Sequence, residues 1–223
     1  MDLTCCHRRT CLFDTCGRVP WDAVWSALAI MDGYSGADDE VEARFLNVTP
    51  NFFTHASTMA DGFVGWEATH EETFTDVLHS SGIRTRRQHA SPGATVRHVR
   101  KTRTVQVDMC VTHGPNESRE FPTVIRVCRA TEAPVDIPDE SAVPPDMIRR
   151  QHRRSYTARG FRVDMSTVVG GKTYAAMEHA APTYEIEVEL VDPGERCGAL
   201  VIASLLMKVL GFAQDSTTSV SPR

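Results

Sequence analysis

Glutamates recur at alternate positions in two short segments, EVEARF at 40–45 and TYEIEVEL at 183–190. Residues two apart on a β-strand share a face and lie about 6.5–7 Å apart. At that distance adjacent carboxylates repel by about 0.6 kcal/mol in water and about 2.4 kcal/mol at an effective dielectric of 20. Carboxylate oxygens suit hard divalent cations, Mg²⁺ or Mn²⁺. The alternating glutamates of these two segments therefore predict a site for a divalent cation.

Basic residues alternate in the same way on other predicted strands, and clusters of arginine and lysine suit phosphate groups. A strand with its polar face in water is the ordinary explanation for one such pattern. Here the polar faces are almost entirely ionic, and their signs segregate by strand. A barrel with inward ionic faces, holding a divalent cation and a polyphosphate, accounts for both patterns. Residues that share a strand face are Arg84 with Arg86, Lys101 with Arg103, Arg126 with Glu132, and Arg162 with Asp164 and Ser166.

Short β-prone runs separated by turn signals predict an antiparallel barrel or sandwich, and the ionic faces favour the barrel. The outward faces of its strands are apolar and need helices to cover them. Helical spacing predicts helices at 20–31 and 197–212, and another near Pro50–Thr58. The predicted organisation is a poorly ordered leader at 1–19 and a single catalytic domain at 20–223. Its barrel core spans about 38–190, and its covering helix about 197–212.

Composition excludes several classes of protein. The 223 residues are 41% hydrophobic and 24% charged with a net charge of −5, so any contact with nucleic acid must be a local basic patch. No apolar run is long enough to cross a membrane, and the cysteine-rich start lacks the apolar core of a secretory signal. Seven cysteines without such a signal indicate a reducing compartment.

Two common phosphate-cleaving motifs are missing from the sequence. It has no HCxxxxxR loop of a cysteine phosphatase, so Cys110, Cys128 and Cys197 are predicted to be packing residues. It also has no GxxxxGK[ST] loop, which argues against a P-loop ATPase. The leader cysteines match no standard zinc spacing.

Both acidic segments resemble the paired metal-binding Glu-x-Glu strands of triphosphate tunnel metalloenzymes, the CYTH-like superfamily. Within it, the chain is most similar to tunnel-type RNA 5′-triphosphatases of mRNA capping. Five further segments resemble motifs of that family, and the likeness covers about residues 38–190. They are RRSY (153–156), FRVDMSTV (161–168), ETFTDVLHSSGIR (72–84), VRKTR (99–103) and RATEAPV (129–135). The resemblance implies a mainly β (α+β) fold, a closed antiparallel eight-stranded β-barrel tunnel with a polar lumen and helices outside.

The resemblance also implies roles for individual residues. Mn²⁺ or Mg²⁺ would be bound by Glu40, Glu42 and Glu189, while Glu187 and Glu132 would position and activate water. Arg162 and Asp164 would form an ion pair in the lumen. The triphosphate would be held by Arg44, Arg84 or Arg86, Lys101, Arg103, Arg126 and Arg153. Where the family has its first basic residue on this strand, the chain has Gln151. Either the register is shifted and Arg150 or Arg154 substitutes, or this phosphate contact is a neutral hydrogen bond.

The implied activity is metal-dependent hydrolysis of the γ-phosphate of triphosphate-ended RNA, the first step of mRNA capping. The alternatives are a tunnel hydrolase of inorganic tripolyphosphate, a nucleotide or thiamine triphosphate, and a non-catalytic polyphosphate-binding module. The expected substrate is a 5′-triphosphate RNA or a nucleoside triphosphate. The chain has no KxDG motif, so a guanylyltransferase would be a separate partner chain. The expected location is the nucleus for a cellular eukaryotic protein, and a cytoplasmic factory or the virion for a viral one.

Overall fold

The computed structural model describes residues 9–11, 39–89, 95–110, 124–136 and 145–191. Within these residues, nine strands and two helices follow one another along the chain. In order they are β1 (Arg9–Cys11), β2 (Asp39–Val48), α1 (Pro50–Gly62), β3 (Ala68–Leu78), β4 (Ile83–Gln88), β5 (Val96–Cys110), β6 (Val124–Pro134), β7 (Met147–Ala158), β8 (Phe161–Gly171), α2 (Tyr174–Glu178) and β9 (Thr183–Leu190).

Eight of the strands close into an antiparallel barrel. Their order around it is β5-β4-β3-β7-β8-β9-β2-β6, and β6 pairs with β5 to complete the ring. The short strand β1 adds to the end of β5 in parallel, with Arg9 opposite Asp108. The predicted fold class, a mainly β closed eight-stranded antiparallel barrel, is confirmed.

Alternation along β9 separates its charged and apolar side chains. Glu185, Glu187 and Glu189 line the central cavity, whereas Ile186 and Val188 are almost fully buried on the other face. Because strand residues alternate in direction, the apolar set must lie outside the barrel. The polar lumen and apolar exterior predicted from the sequence are therefore present.

Helix α1 covers part of this apolar exterior. It begins after Thr49, whose hydroxyl accepts a hydrogen bond from the Phe52 backbone N–H at 3.2 Å, and Pro50 occupies its first turn. The Phe52 ring lies 5.6 Å from that of Phe45 on β2, and the Phe53 ring 4.7 Å from that of Tyr184 on β9. The predicted helix near Pro50–Thr58 is thus confirmed and extends to Gly62.

Two other predicted helices, at 20–31 and 197–212, lie outside the described residues. Of the predicted leader at 1–19, only Arg9–Cys11 is described. In the part of the chain that the structure describes, no helix has the length and apolar character needed to cross a membrane.

A tight turn fixes the register of β7 and β8. Arg159 and Gly160 both have positive φ, at 51° and 79°, which is the signature of a two-residue type I′ hairpin turn. The resulting ladder places Arg153 opposite Ser166 and Ser155 opposite Asp164. Since a shift of one residue would turn every side chain to the other face, this turn decides which of the β7 arginines point into the lumen.

Candidate active site

The barrel encloses a cavity of about 710 Å³ with a strongly ionic wall. Acidic and basic side chains contribute equally, eight of each. The acids are Glu40, Glu42, Glu72, Asp76, Glu132, Glu185, Glu187 and Glu189, and the bases are Arg44, Arg84, Arg86, Arg97, Lys101, Arg149, Arg153 and Arg162. Such a cavity is suited to a ligand that carries both a cation and anionic groups.

The two Glu-x-Glu strands are neighbours in the barrel. In the β2–β9 ladder, Glu42 lies directly opposite Glu189 and Arg44 directly opposite Glu187. Directly opposed residues of an antiparallel pair share a face, with Cβ atoms about 4.5–5.5 Å apart. The sequence segments EVEARF and TYEIEVEL therefore form one acidic wall.

Cationic side chains neutralise this wall. Lys101 contacts Glu40 and lies 3.4 Å from Glu42 Oε2, while Arg162 contacts Glu189. Arg44 contacts Glu187 and its guanidinium lies 3.7 Å from Glu42 Oε1. Within the described residues, each predicted metal-ligating carboxylate thus has a basic partner.

Arg153 is the most enclosed basic residue of the predicted site, with a side chain only 10% exposed. Its Nη1 lies 3.0 Å from Asp164 Oδ2 and its Nη2 3.5 Å from Glu187 Oε2. Arg162 donates from Nε to both Asp164 oxygens at 3.0 and 3.1 Å. The predicted Arg162–Asp164 ion pair is present, and Asp164 also connects it to Arg153.

A buried aromatic ring supports two of the predicted phosphate-binding arginines. Phe74 is fully buried, and the guanidinium carbons of Arg86 and Arg153 lie 3.8 and 5.1 Å from its ring centroid. Arg86 also donates to both carboxylate oxygens of Asp76 at 2.8 and 2.9 Å. Cation–π stacking and the bidentate pair together restrict the guanidinium of Arg86.

Three residues of this support were not predicted as site residues from the sequence: Phe74, Asp76 and Arg149. Asp76 lies in the quoted ETFTD motif, so strand parity could have placed it in the lumen. Arg149, whose Nη2 lies 2.5 Å from Glu185 Oε1, is two residues before Gln151 and shares its face. Phe74 gave no such signal because an apolar side chain on a charged face breaks the pattern.

The Gln151 position is settled by the register of β7. Gln151 is buried, lines the cavity, and donates from Nε2 to Asp76 Oδ2 at 3.1 Å. Arg150 and Arg154 occupy alternate positions and are exposed, and Arg154 pairs outside with Asp61. The alternative in which the register shifts and Arg150 or Arg154 substitutes is therefore wrong.

Arg103 and Arg126, both predicted to bind triphosphate, do not line the described cavity. Arg103 is exposed, and the β5 ladder shifts register directly after it, between Arg103 and Val105. Arg126 stands opposite Arg44 in the ladder, and its Nε and Nη2 donate to the Asp108 carboxylate at 2.8 and 2.9 Å. Lys101, Arg84 and Arg153 do line the cavity, as predicted.

Cys128 was predicted to be a packing residue, and it is indeed 1% exposed. Its position opposite Glu42, however, puts it on the lumen face. The Cys128 thiol lies 3.2 Å from Glu42 Oε1, to which it donates. Burial and the Glu42 carboxylate raise the pKa of Cys128 to about 12, so it stays protonated as a donor at neutral pH.

The acidic wall divides into two electrostatic environments. Burial raises the pKa of Glu189 to about 7, Arg162 opposes that rise, and the Glu40, Asp164 and Glu42 carboxylates add to it. Burial would also raise the pKa of Glu187, but Arg44 and Arg153 outweigh it and hold that pKa below its usual range. Glu187 is therefore ionised at neutral pH, while Glu189 is half protonated without a further cation.

The three predicted ligands fit a hard divalent cation in chemistry and in strand position. Glu40 Oε2 is buried and accepts no hydrogen bond of regular geometry, and burial, with the Glu40, Asp164 and Glu42 carboxylates adding to it, raises the pKa of Glu189. Among the residues described, no three carboxylate, imidazole or thiol groups are arranged to hold a metal ion as they stand. Binding would therefore require the carboxylates to turn from Lys101 and Arg162.

The raised pKa of Glu189 predicts a pH-dependent stability. Its folded-state pKa of about 7 exceeds the ordinary 4.5, so the folded protein binds more protons than the unfolded chain between those pH values. The stabilising contribution is present below pH 4.5 and is lost as the pH rises to 7. The test is urea unfolding in the presence of EDTA. The free energy of unfolding of the wild type, minus that of Glu189→Gln, should decrease as the pH is raised from 5 to 7. A difference that stays constant over this range would contradict the assignment.

A closed antiparallel barrel of eight strands with an ionic lumen and apolar exterior defines the class: the chain has the triphosphate-tunnel fold. Among solved structures, it is similar to the Pct1 RNA triphosphatase of S. pombe, with 15% identity, a TM-score of 0.60, and coverage of 87% of this chain and 89% of that chain. It is also similar to the RNA triphosphatase domain of the trifunctional mimivirus mRNA capping enzyme, with 16% identity, a TM-score of 0.61, and coverage of 92% and 99%.

A further S. pombe structure, Pct1 in complex with the Spt5 CTD, matches with 13% identity, a TM-score of 0.61, and coverage of 86% and 90%. No protein-family model matches the sequence. No curated protein matches it either. At these identities the structural likeness establishes the fold alone.

Proposed function

We propose that this protein is a metal-dependent polynucleotide 5′-phosphatase that hydrolyses the γ-phosphate of triphosphate-ended RNA, the first step of mRNA capping. One observation carries the proposal. The two Glu-x-Glu strands are adjacent, Glu42 faces Glu189 across their ladder, and the same closed lumen contains the arginine cluster. The RNA triphosphatases that share the fold support it.

The cofactor in this proposal is Mn²⁺ or Mg²⁺, held by Glu40, Glu42 and Glu189. When bound, the cation would neutralise charge on the phosphate oxygens. Glu189 would have to lose its proton to serve as a ligand, so binding should be accompanied by proton release near neutral pH.

The arginines and Lys101 would bind the triphosphate and stabilise charge that spreads over the transferred phosphoryl group. Arg153 is held by Asp164, Glu187 and Phe74, and Arg86 by Asp76 and Phe74. Donors fixed before the substrate arrives need little reorganisation during the reaction. Arg84, paired with Glu132, and Arg44, paired with Glu187, are the other predicted triphosphate-binding residues that line the cavity.

A carboxylate must orient water in line with the leaving diphosphate and accept its proton. Glu187 is suited to this role because Arg44 and Arg153 keep it ionised. Glu132 lies on β6, beside the Lys101 and Arg84 side chains, and would assist in positioning the water. The products are a 5′-diphosphate RNA and inorganic phosphate.

The decisive experiment measures γ-phosphate release from triphosphate-ended RNA, ATP and inorganic tripolyphosphate, each with Mg²⁺ and with Mn²⁺. We expect metal-dependent release with the highest kcat/KM on RNA. A strong preference for tripolyphosphate would replace the proposal with a small-substrate hydrolase of the same fold. Binding of polyphosphate without any release would indicate a non-catalytic module.

Capping requires a guanylyltransferase after this step, and we propose that a separate chain supplies it. The protein would act in the nucleus of a eukaryotic cell, or in a cytoplasmic factory or virion if it is viral. Co-purification of the chain with guanylyltransferase activity would test the partnership.

A further inference from the structure

A second cavity of about 560 Å³ lies outside the barrel, and the lumen site makes no use of it. Its walls come from the end of α1, the connection from α1 to β3, and the outer face of β7. His70, at the start of β3, lines both this groove and the barrel cavity. The groove therefore adjoins one mouth of the tunnel.

Aromatic rings form the floor of the groove. Trp66 packs on Tyr156 with ring centroids 5.3 Å apart, and Phe63 meets Trp66 edge-on at 5.0 Å. The Trp66 indole N–H donates to the Ala60 carbonyl at 2.7 Å, which fixes the orientation of the ring. The stack is thus held in place before any ligand binds.

The upper part of the stack is open to solvent. Phe63 is 54% exposed and the adjacent Val64 is fully exposed. Gly65 permits this arrangement, because a Cβ there would lie 2.4 Å from the Phe63 ring. The Phe63 ring therefore lies across the backbone at Gly65, beside the groove that adjoins one mouth of the tunnel.

Charge in the groove disfavours a phosphate ligand. Arg154 donates to both Asp61 oxygens at 2.9 and 3.0 Å, and to Glu71 at 3.3 Å. Two carboxylates flank this one guanidinium, so the three groups together carry a net negative charge. An uncharged planar ring with amino or imino N–H groups suits these aromatic and carboxylate walls.

We infer that the groove is a subsite for a nucleobase at the 5′ end of the RNA, an inference that rests on the proposed function. The groove adjoins one mouth of the tunnel, and an RNA whose triphosphate lies in the lumen must emerge from one of the two mouths. Its volume is that of a small-molecule pocket, whereas a protein partner requires a broad surface of about 1,000 Å² or more. Stacking on aromatic side chains tolerates any base, as recognition of RNA ends with varied sequences requires.

The test compares two substrates that share the triphosphate. Phe63→Ala should lower kcat/KM for a short triphosphate-ended RNA about tenfold, mainly through KM, the size expected for one lost base stack. The same variant should change kcat/KM for inorganic tripolyphosphate less than twofold. Phe63→Tyr, which keeps the ring, should behave as the wild type. Tyr174→Ala is the matched control, because Tyr174 is an aromatic residue of similar exposure (51%) on α2.

An equal loss on both substrates, or no loss on RNA, overturns the subsite. Fluorescence anisotropy of a labelled triphosphate-ended RNA, measured without metal, decides the question even if the wild type hydrolyses neither substrate. In that case the proposed function fails, and weaker RNA binding by Phe63→Ala than by the wild type still supports the subsite. Equal binding to both proteins overturns it, as would be found if the groove receives a peptide.

Discussion

Replacing Glu187 with glutamine is expected to lower kcat for γ-phosphate release by about 10²–10⁴-fold, the usual contribution of a general base. Glutamine keeps the size of the side chain but can neither accept the proton of the attacking water nor balance Arg44 and Arg153, which Glu187 contacts. The KM for triphosphate-ended RNA should change much less than kcat. Steady-state phosphate release in saturating Mn²⁺ measures both constants.

The matched control is Glu178→Gln, which removes a carboxylate that is exposed on α2, outside the barrel. It should retain wild-type kcat. The thermal unfolding of both variants must be compared with that of the wild type, so that a loss of fold is not mistaken for a loss of chemistry. A folded Glu187→Gln variant with unchanged kcat would exclude Glu187 as the catalytic base.

Of the variants proposed for this protein, Asp164→Asn should destabilise the fold most. We expect it to lower the free energy of unfolding by about 3 kcal/mol. Asp164 is 1% exposed and compensates two guanidinium groups, those of Arg153 and Arg162. Removing one partner of a buried ion pair leaves an uncompensated buried charge, at a cost of about 3–5 kcal/mol. We expect the lower end of this range because each arginine retains another ion pair. Arg153 still contacts Glu187, and Arg162 still contacts Glu189. Urea unfolding at neutral pH measures the change.

Glu71→Gln provides the comparison for this effect. Glu71 also pairs with a basic neighbour, Arg154, but its side chain is 50% exposed on the outer face of β3. An exposed pair contributes little to stability, so its loss should lower the free energy of unfolding much less than Asp164→Asn does. If Asp164→Asn costs no more than Glu71→Gln, the lumen is wetter and electrostatically weaker than its burial indicates.

The barrel and much of its lumen were predictable because strand alternation is a local rule. Glu185, Glu187 and Glu189 follow one another at alternate positions, and a strand of any register places them together. Their pairing with Glu40 and Glu42 was also accessible, since two acidic faces require a shared cation. The roles that the resemblance gives to these residues remain predictions.

Features that depend on register or on long-range packing were not accessible in the same way. Local parity put Arg103 and Arg126 with the lumen residues, but parity does not show how far along the barrel a side chain lies: Arg103 is exposed and Arg126 pairs with Asp108, and neither lines the cavity. For β7, the sequence left open whether Gln151 or a neighbouring arginine faces the lumen. The β7–β8 turn fixes the register that turns Gln151 inward. Phe74 was missed because its function as a support for Arg86 and Arg153 arises from three strands that meet only in the folded barrel.

The pairing of β2 with β9 has a consequence for the order in which the protein is made. β2 is the first strand of the barrel in the chain and β9 is the last. The acidic wall consists of these two strands, so it cannot exist until the ribosome has released nearly the whole barrel. Shorter nascent chains would carry Arg149 and Arg153 of β7 and Arg162 of β8 without the β9 glutamates that pair with them. Closure of the ring is a slow, non-local step. The same step brings the glutamates of β2 and β9 together.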